Sequence, residues 1–242
     1  MPNNSEKAAK QTISVISDHT YGPDAHSFLN SGSNLSAFIG ICAYRPMSNR
    51  SFLADLIPWV LKRSNHVKII IGDYLERHNL VAFEGITEEE AISHLDKKGQ
   101  KIIRTVSRIL QPYKDTHRLS VVDFRTEMSL RGFKKVFDGV SSYYTSDQLF
   151  ASDIRREVDR FVADSRRYDH DVKQAVLSEQ AEMLDKYVLE EVAMYVHLYL
   201  QGYTVEVYPG QDLPILRKIA QCTYKGFPFR YSKRTHIGVK RQ

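Results

Sequence analysis

Leu35-Ser36-Ala37-Phe38-Ile39-Gly40-Ile41-Cys42 is a compact apolar run that ends at a turn signal around Arg45-Pro46. A short apolar run without polar alternation reads as a strand buried on both faces. Val67-Lys68-Ile69-Ile70-Ile71-Gly72 is a second, β-branched run, and Leu119-Ser120-Val121-Val122-Asp123 a third. Between them the pattern predicts a helix over 49–62, interrupted or bent near Pro58. A longer helix is expected over 87–110. Thr87-Glu88-Glu89-Glu90 opens it with a capping box and acids in the first turn.

Strands separated by helices imply an α/β fold with a mostly parallel sheet, and right-handed crossovers put helices on both faces. Past Asp123 the chain reads as mainly helical, with helices over about 146–163 and about 170–200. Thr204-Val205-Glu206-Val207-Tyr208 returns as a strand, and 213–221 is the last helix. Residues 1–33 are polar and aperiodic and are expected to be a flexible arm before a single domain over 34–242. In open sheets of this kind ligands sit beyond the carboxyl ends of the strands. Cys42, Gly72-Asp73, Asp123 and Tyr208-Pro209 all fall at such ends.

The 242 residues are 42% hydrophobic and 26% charged, an ordinary globular balance, with a net charge of +5. No apolar run reaches the ~18 residues a membrane span requires, and the N-terminus lacks an apolar signal segment. The two cysteines, Cys42 and Cys222, make no metal or disulfide framework. These features lead us to expect a cytoplasmic protein without membrane association or a structural metal.

Charge distribution says more than the total. Lys97, Lys101, Arg104 and Arg108 are spaced i, i+4, i+7 and i+11, one stripe on the long helix, with Lys98 flanking it. No acid follows Asp96 in this stretch, so the stripe reads as a phosphate-backbone contact. The alternative is a solvated helix face. Arg155, Arg156 and Arg160 alternate with Asp153, Glu157 and Asp159 and read as salt-bridge lacing. The tail from Arg230 to Arg241 reads as a second polyanion contact or a soluble end.

Cys42 closes the first strand and precedes a helix start. Arg45 and that helix terminus would favour its thiolate. The competing reading is a small buried hydrophobe. Tyr187 and Glu191 are four apart and share a helix face at the edge of an apolar segment. A carboxylate there requires a partner. It would be either a structural Lys or Arg, or a ligand ammonium gripped with help from the Tyr187 hydroxyl.

In these motifs the sequence resembles the cyclodipeptide synthases over roughly residues 35–221. Gly40-Ile41-Cys42-Ala43-Tyr44-Arg45 is similar to the family's Gly-x-Ser strand end, which carries its nucleophile. Tyr187-Val188-Leu189-Glu190-Glu191 is similar to its Tyr-x-x-x-Glu helix motif. Tyr208-Pro209 is similar to the signature of the subfamily named for X, Tyr and Pro, with Arg45 at X. The resemblance implies a Rossmann-like domain similar to the catalytic domain of class I tyrosyl- and tryptophanyl-tRNA synthetases. It also implies two aminoacyl-tRNA substrates, a cyclic dipeptide (diketopiperazine) product, and a ping-pong route through an aminoacyl-enzyme on Cys42. Tyr187, Glu191 and Tyr208 would share the catalysis, Phe38, Gly40 and Arg45 the substrate pocket, and Lys97, Lys98, Lys101, Arg104 and Arg108 the tRNA contact. One departure stands out: the family nucleophile is serine, so Cys42 would carry a thioester in place of an ester. No Gly-rich phosphate loop and no HIGH-like or KMSKS-like signature occurs, so neither ATP use nor any other cofactor is expected. Two other readings remain: a non-catalytic tRNA-binding module of synthetase descent, and a Cys-dependent acyltransferase or hydrolase acting on a small substrate.

Overall fold

The computed structural model describes residues 13–30, 34–42, 49–113, 115, 118–168, 177–210, 212–231 and 233–241, and over 164–168 and 177–181 the backbone only. Six strands form one sheet: β1 (Ile13–Tyr21), β2 (Ser36–Ile41), β3 (His66–Ile71), β4 (Leu119–Asp123), β5 (Val205–Tyr208) and β6 (Thr235–Arg241). Their spatial order is β1-β6-β5-β2-β3-β4. All neighbours are parallel except β1 and β6. The mostly parallel α/β sheet expected from the apolar runs is therefore present.

The helices follow from local signals. In α2 (Arg50–Leu61) the Asn49 side chain accepts from the Ser51 backbone N–H, and Pro58 lies inside the helix. A 3₁₀ turn (Tyr74–Glu76), the one-turn α3 (Arg77–Asn79) and a π-turn (Leu80–Glu84) link β3 to α4 (Glu88–Leu110). The Thr87–Glu90 capping box forms as expected. The short α1 (Ala25–Leu29) and α5 (Phe124–Met128) precede three long helices, α6 (Arg131–Ser146), α7 (Gln148–Tyr168) and α8 (Leu177–Leu200), and α9 (Pro214–Ala220) follows β5.

Strand parity sorts the core into two layers. Ala37, Ile39 and Ile41 pack with Leu53, Leu56 and Ile57 of α2 and with Ile102 and Val106 of α4. Phe38 and Ile70 face the other way, onto α6, α7, α8 and α9. The side chains of a strand alternate between faces, so Gly40 and Cys42 share the α8 face with Phe38.

Several expectations are revised. The arm expected over 1–33 is in part structured. Residues 13–21 form an edge strand paired to β6, and 25–29 form α1; residues 1–12 and 31–33 lie outside the described residues. The basic tail is an interior strand between β5 and β1. Arg234 just before it is buried, donating to Glu206 at 2.9 Å, to the Tyr199 hydroxyl at 2.8 Å, to Asp212 and to Tyr21. Helix α6, which the sequence reading did not resolve, packs on α8. The turn at Arg45-Pro46 lies outside the described residues, as does the start of the helix expected from residue 170.

Candidate active site

The strand order supplies the site. From β2 the chain proceeds through β3 to β4 on one side, while β5 pairs with β2 on the other. The carboxyl ends of β2 and β5 therefore flank a topological switch point, where open α/β sheets form their crevices. The register Ile39↔Val207 brings Cys42 and Tyr208 to that same end.

A pocket of about 50 Å³ opens there, lined by Phe38, Gly40, Cys42, Glu76, Tyr187, Glu191, Tyr195 and Tyr208 among others. Helix α8 contributes Tyr187, Glu191, Met194, Tyr195 and Leu198, a spacing that keeps one face toward the sheet. Gly40 leaves room for the Tyr195 hydroxyl, which would lie 3.7 Å from a Cβ placed there. The rings of Phe38 and Tyr195 meet at 5.5 Å between centroids. Tyr195 is thus part of the pocket wall.

The acid beside Cys42 was missed by sequence reasoning. The Cys42 thiol donates to Glu76 Oε1 at 2.7 Å, and Asn79 Nδ2 donates to Glu76 Oε2 at 2.6 Å. Glu76 and Asn79 are both buried. A signal existed in Glu76-Arg77-His78-Asn79, four consecutive polar residues after a buried strand, but spacing alone does not say what they face.

Burial pushes the Tyr187 phenol well above its usual range. The carboxylates of Glu191 and Glu76 push it further, so it stays a neutral donor. Tyr195 is raised by burial too, and by Glu206, Glu191 and Tyr208. Glu190 is buried and held by Arg77 at 2.6 and 2.9 Å and by His78 at 3.1 Å, while Glu191 lines the pocket.

Of the residues expected in the substrate pocket, Phe38 and Gly40 line it and Arg45 lies outside the described residues. In the basic stripe, Lys97, Lys101, Arg104 and Arg108 are exposed on α4. Lys98 turns toward the site and is half-buried. Burial lowers its pKa, and the nearby carboxylates of Glu84 and Glu76 oppose that shift.

Among the described residues, Glu206, Asp212 and His236 are the one trio close enough to hold a metal ion. The Arg234 guanidinium already spans both carboxylates, so a second cation does not fit there. No helix among the described residues is long and apolar enough to cross a membrane.

Comparison with known proteins agrees with this architecture. The family model for cyclodipeptide synthase matches residues 21–224, so this chain belongs to the cyclodipeptide synthase family. The fold is similar to that of a cyclodipeptide synthase from Fluoribacter dumoffii, with a TM-score of 0.73 and 17% identity over 96% of this chain and 99% of that one. It is also similar to a Mycobacterium tuberculosis protein whose structure is described as relating cyclodipeptide synthetases to type I tRNA synthetases. That match has a TM-score of 0.73 and 16% identity over 92% of both chains. A cyclodipeptide synthase from Candidatus Glomeribacter gigasporarum, solved bound to Phe-tRNAPhe, matches with a TM-score of 0.55 and 20% identity over 86% of this chain and 89% of that one. No curated protein matches the sequence.

Proposed function

We propose that this enzyme joins two aminoacyl groups, each delivered on tRNA, into a cyclic dipeptide by a ping-pong route through a thioester on Cys42. The observation that carries this reading is the gathering of a thiol, a carboxylate and the phenols of Tyr187 and Tyr208 in one pocket at the switch point. The neighbour bound to Phe-tRNAPhe and the exposed basic stripe on α4 support aminoacyl-tRNA as the substrate.

The first aminoacyl-tRNA lies with its phosphates on Lys97, Lys101, Arg104 and Arg108. Its ester carbonyl is attacked by the Cys42 sulfur, releasing tRNA. Glu191 and Tyr187 grip the aminoacyl ammonium. The amine of the second aminoacyl-tRNA displaces the thiolate, giving a dipeptidyl-tRNA. Its free amino terminus then attacks the remaining ester, closing the ring and releasing the second tRNA. That last step is intramolecular and gains strongly from proximity. Tyr208 orients the dipeptidyl group or relays its proton. No step calls on ATP, and cytoplasmic localisation suits substrates drawn from the translation pool.

Incubation with radioactive aminoacyl-tRNA should give a hydroxylamine-labile protein adduct and a diketopiperazine detectable by mass spectrometry. Cys42→Ala should abolish both. An adduct retained in that variant would move the nucleophile elsewhere. RNA binding without product from any aminoacyl-tRNA would make the chain a non-catalytic binding module.

A further inference from the structure

We infer that Glu76 is the group that takes the proton from the Cys42 thiol, held in place for that task by Asn79. The inference rests on the reading of Cys42 as the nucleophile and adds the base that such a nucleophile requires. The thiol already donates to Glu76 Oε1, and the Asn79 amide holds the other carboxylate oxygen, which orients the acid toward the sulfur. Both side chains are buried, which keeps water from competing for that oxygen. Among the described residues, no histidine lines the pocket.

The surroundings fit a proton acceptor. Asn79, on α3, shares its chain segment. From α8 come Tyr187 and Glu191, from the end of β5 Tyr208, and from α4 the ammonium of Lys98, close enough to act on both Glu76 and Cys42. Tyr187 stays protonated and cannot accept. Glu191 faces the same cavity, but the hydrogen bond from the thiol goes to Glu76.

In the step itself the thiol proton passes to Glu76 as the bond forms between sulfur and the aminoacyl carbonyl carbon. The bond from that carbon to the ribose oxygen breaks. The proton then passes from Glu76 to the leaving ribose hydroxyl. Thiol and aminoacyl ester become thioester and free tRNA, with no other reactant.

A charge and a base make opposite predictions here, and the test uses that. A carboxylate beside a thiol disfavours the thiolate. In the full chain carrying Cys222→Ser, so that Cys42 is the sole thiol, Glu76→Gln should therefore speed iodoacetamide alkylation of Cys42 at neutral pH. The same variant should slow thioester formation from aminoacyl-tRNA by about 100-fold or more, the usual contribution of a general base. Asn79→Ala, which keeps the carboxylate and loosens it, should slow thioester formation by a smaller factor and serves if Glu76→Gln does not fold. Unchanged thioester formation in Glu76→Gln overturns the inference, as does a parallel fall in alkylation and acylation. A Cys222→Ser parent that forms no thioester overturns the nucleophile reading itself. A parent that acylates normally beside a Glu76→Gln variant that does the same removes Glu76 alone.

Discussion

The guanidinium of Arg77 holds the carboxylate of Glu190 through two hydrogen bonds, 2.9 and 2.6 Å long, and both side chains are buried. This pair ties the β3–α4 connection to α8. Glu190 faces Arg77, while its neighbour Glu191 and Tyr187 one turn earlier line the pocket, so the ion pair fastens α8 in the rotation its apolar face selects. Breaking a buried pair from one side leaves an uncompensated charge. Arg77→Ala should cost about 3–5 kcal/mol in urea denaturation, and Arg77→Met with Glu190→Leu should recover part of that loss.

The basic stripe of α4 gives a different signature. Lys101 and Arg104 are exposed, so Lys101→Glu with Arg104→Glu should change stability by only about 0.5 kcal/mol. Affinity for aminoacyl-tRNA should nevertheless fall at least about tenfold. Its dependence on salt should become shallower, because each phosphate left without its cation takes roughly 0.7–0.9 off the slope of log affinity against log salt. Filter binding across a salt series measures both. Unaltered binding would move the RNA interface off this helix.

Asp73 sits under Gly99 of α4, where a Cβ would lie 1.8 Å from its carboxylate. Burial pushes its pKa up to about 6, with Asp123 and Asp96 adding repulsion against the bond from the Tyr74 backbone N–H. The folded pKa is above the unfolded value, so this group favours folding while protonated and loses that contribution as pH rises from about 4 to about 6. Asp73→Asn keeps an oxygen for the Tyr74 N–H and removes the buried charge. It should raise stability by roughly 1 kcal/mol at pH 7.5 and by little at pH 4, read by thermal melting. Gly99→Ala, in contrast, should destabilise at both pH values.

Glu127 shows the opposite sign. Burial alone would raise its pKa, but hydrogen bonds from His197, Lys68 and Gln201 outweigh burial and hold it at about 2. The folded pKa is below the unfolded one, so this stabilisation is present above about pH 4.5 and is lost as pH falls toward 2. Glu127→Gln should flatten acid unfolding across that window and leave Lys68 buried without its ion pair, which lowers stability at pH 7. Acid titration followed by circular dichroism tests both parts.

Part of the sheet was legible because its parallel strands are mainly apolar. β2 and β3 are buried strands and β4 a half-buried edge strand, and their runs stand out from the helices between them. β1 was missed because Ile13-Ser14-Val15-Ile16-Ser17-Asp18-His19-Thr20-Tyr21 is a half-polar edge strand whose order comes from pairing with β6. β6 was read as part of a basic tail because Arg234 precedes it and Lys240 and Arg241 close it, yet Arg234 is neutralised by Glu206 and Asp212. The pocket residues Tyr187, Glu191 and Tyr208 were found through their spacing and resemblance. Glu76, Asn79 and Tyr195 were not, since their importance depends on what stands opposite them.

The sequence by itself determined where β2, β3, β4, β5 and the capped α4 helix lie, the stripe on that helix, and the four-residue spacing that places Tyr187 and Glu191 on one face. These depend on neighbours a few positions away, and periodicity records them directly. Tertiary structure alone decided that Cys42 meets Glu76, 34 residues on, and that Arg77 meets Glu190, 113 residues on. Such pairings follow from strand order and from which side of α8 meets the sheet, and folding settles both through burial of the whole apolar surface, which no local pattern encodes.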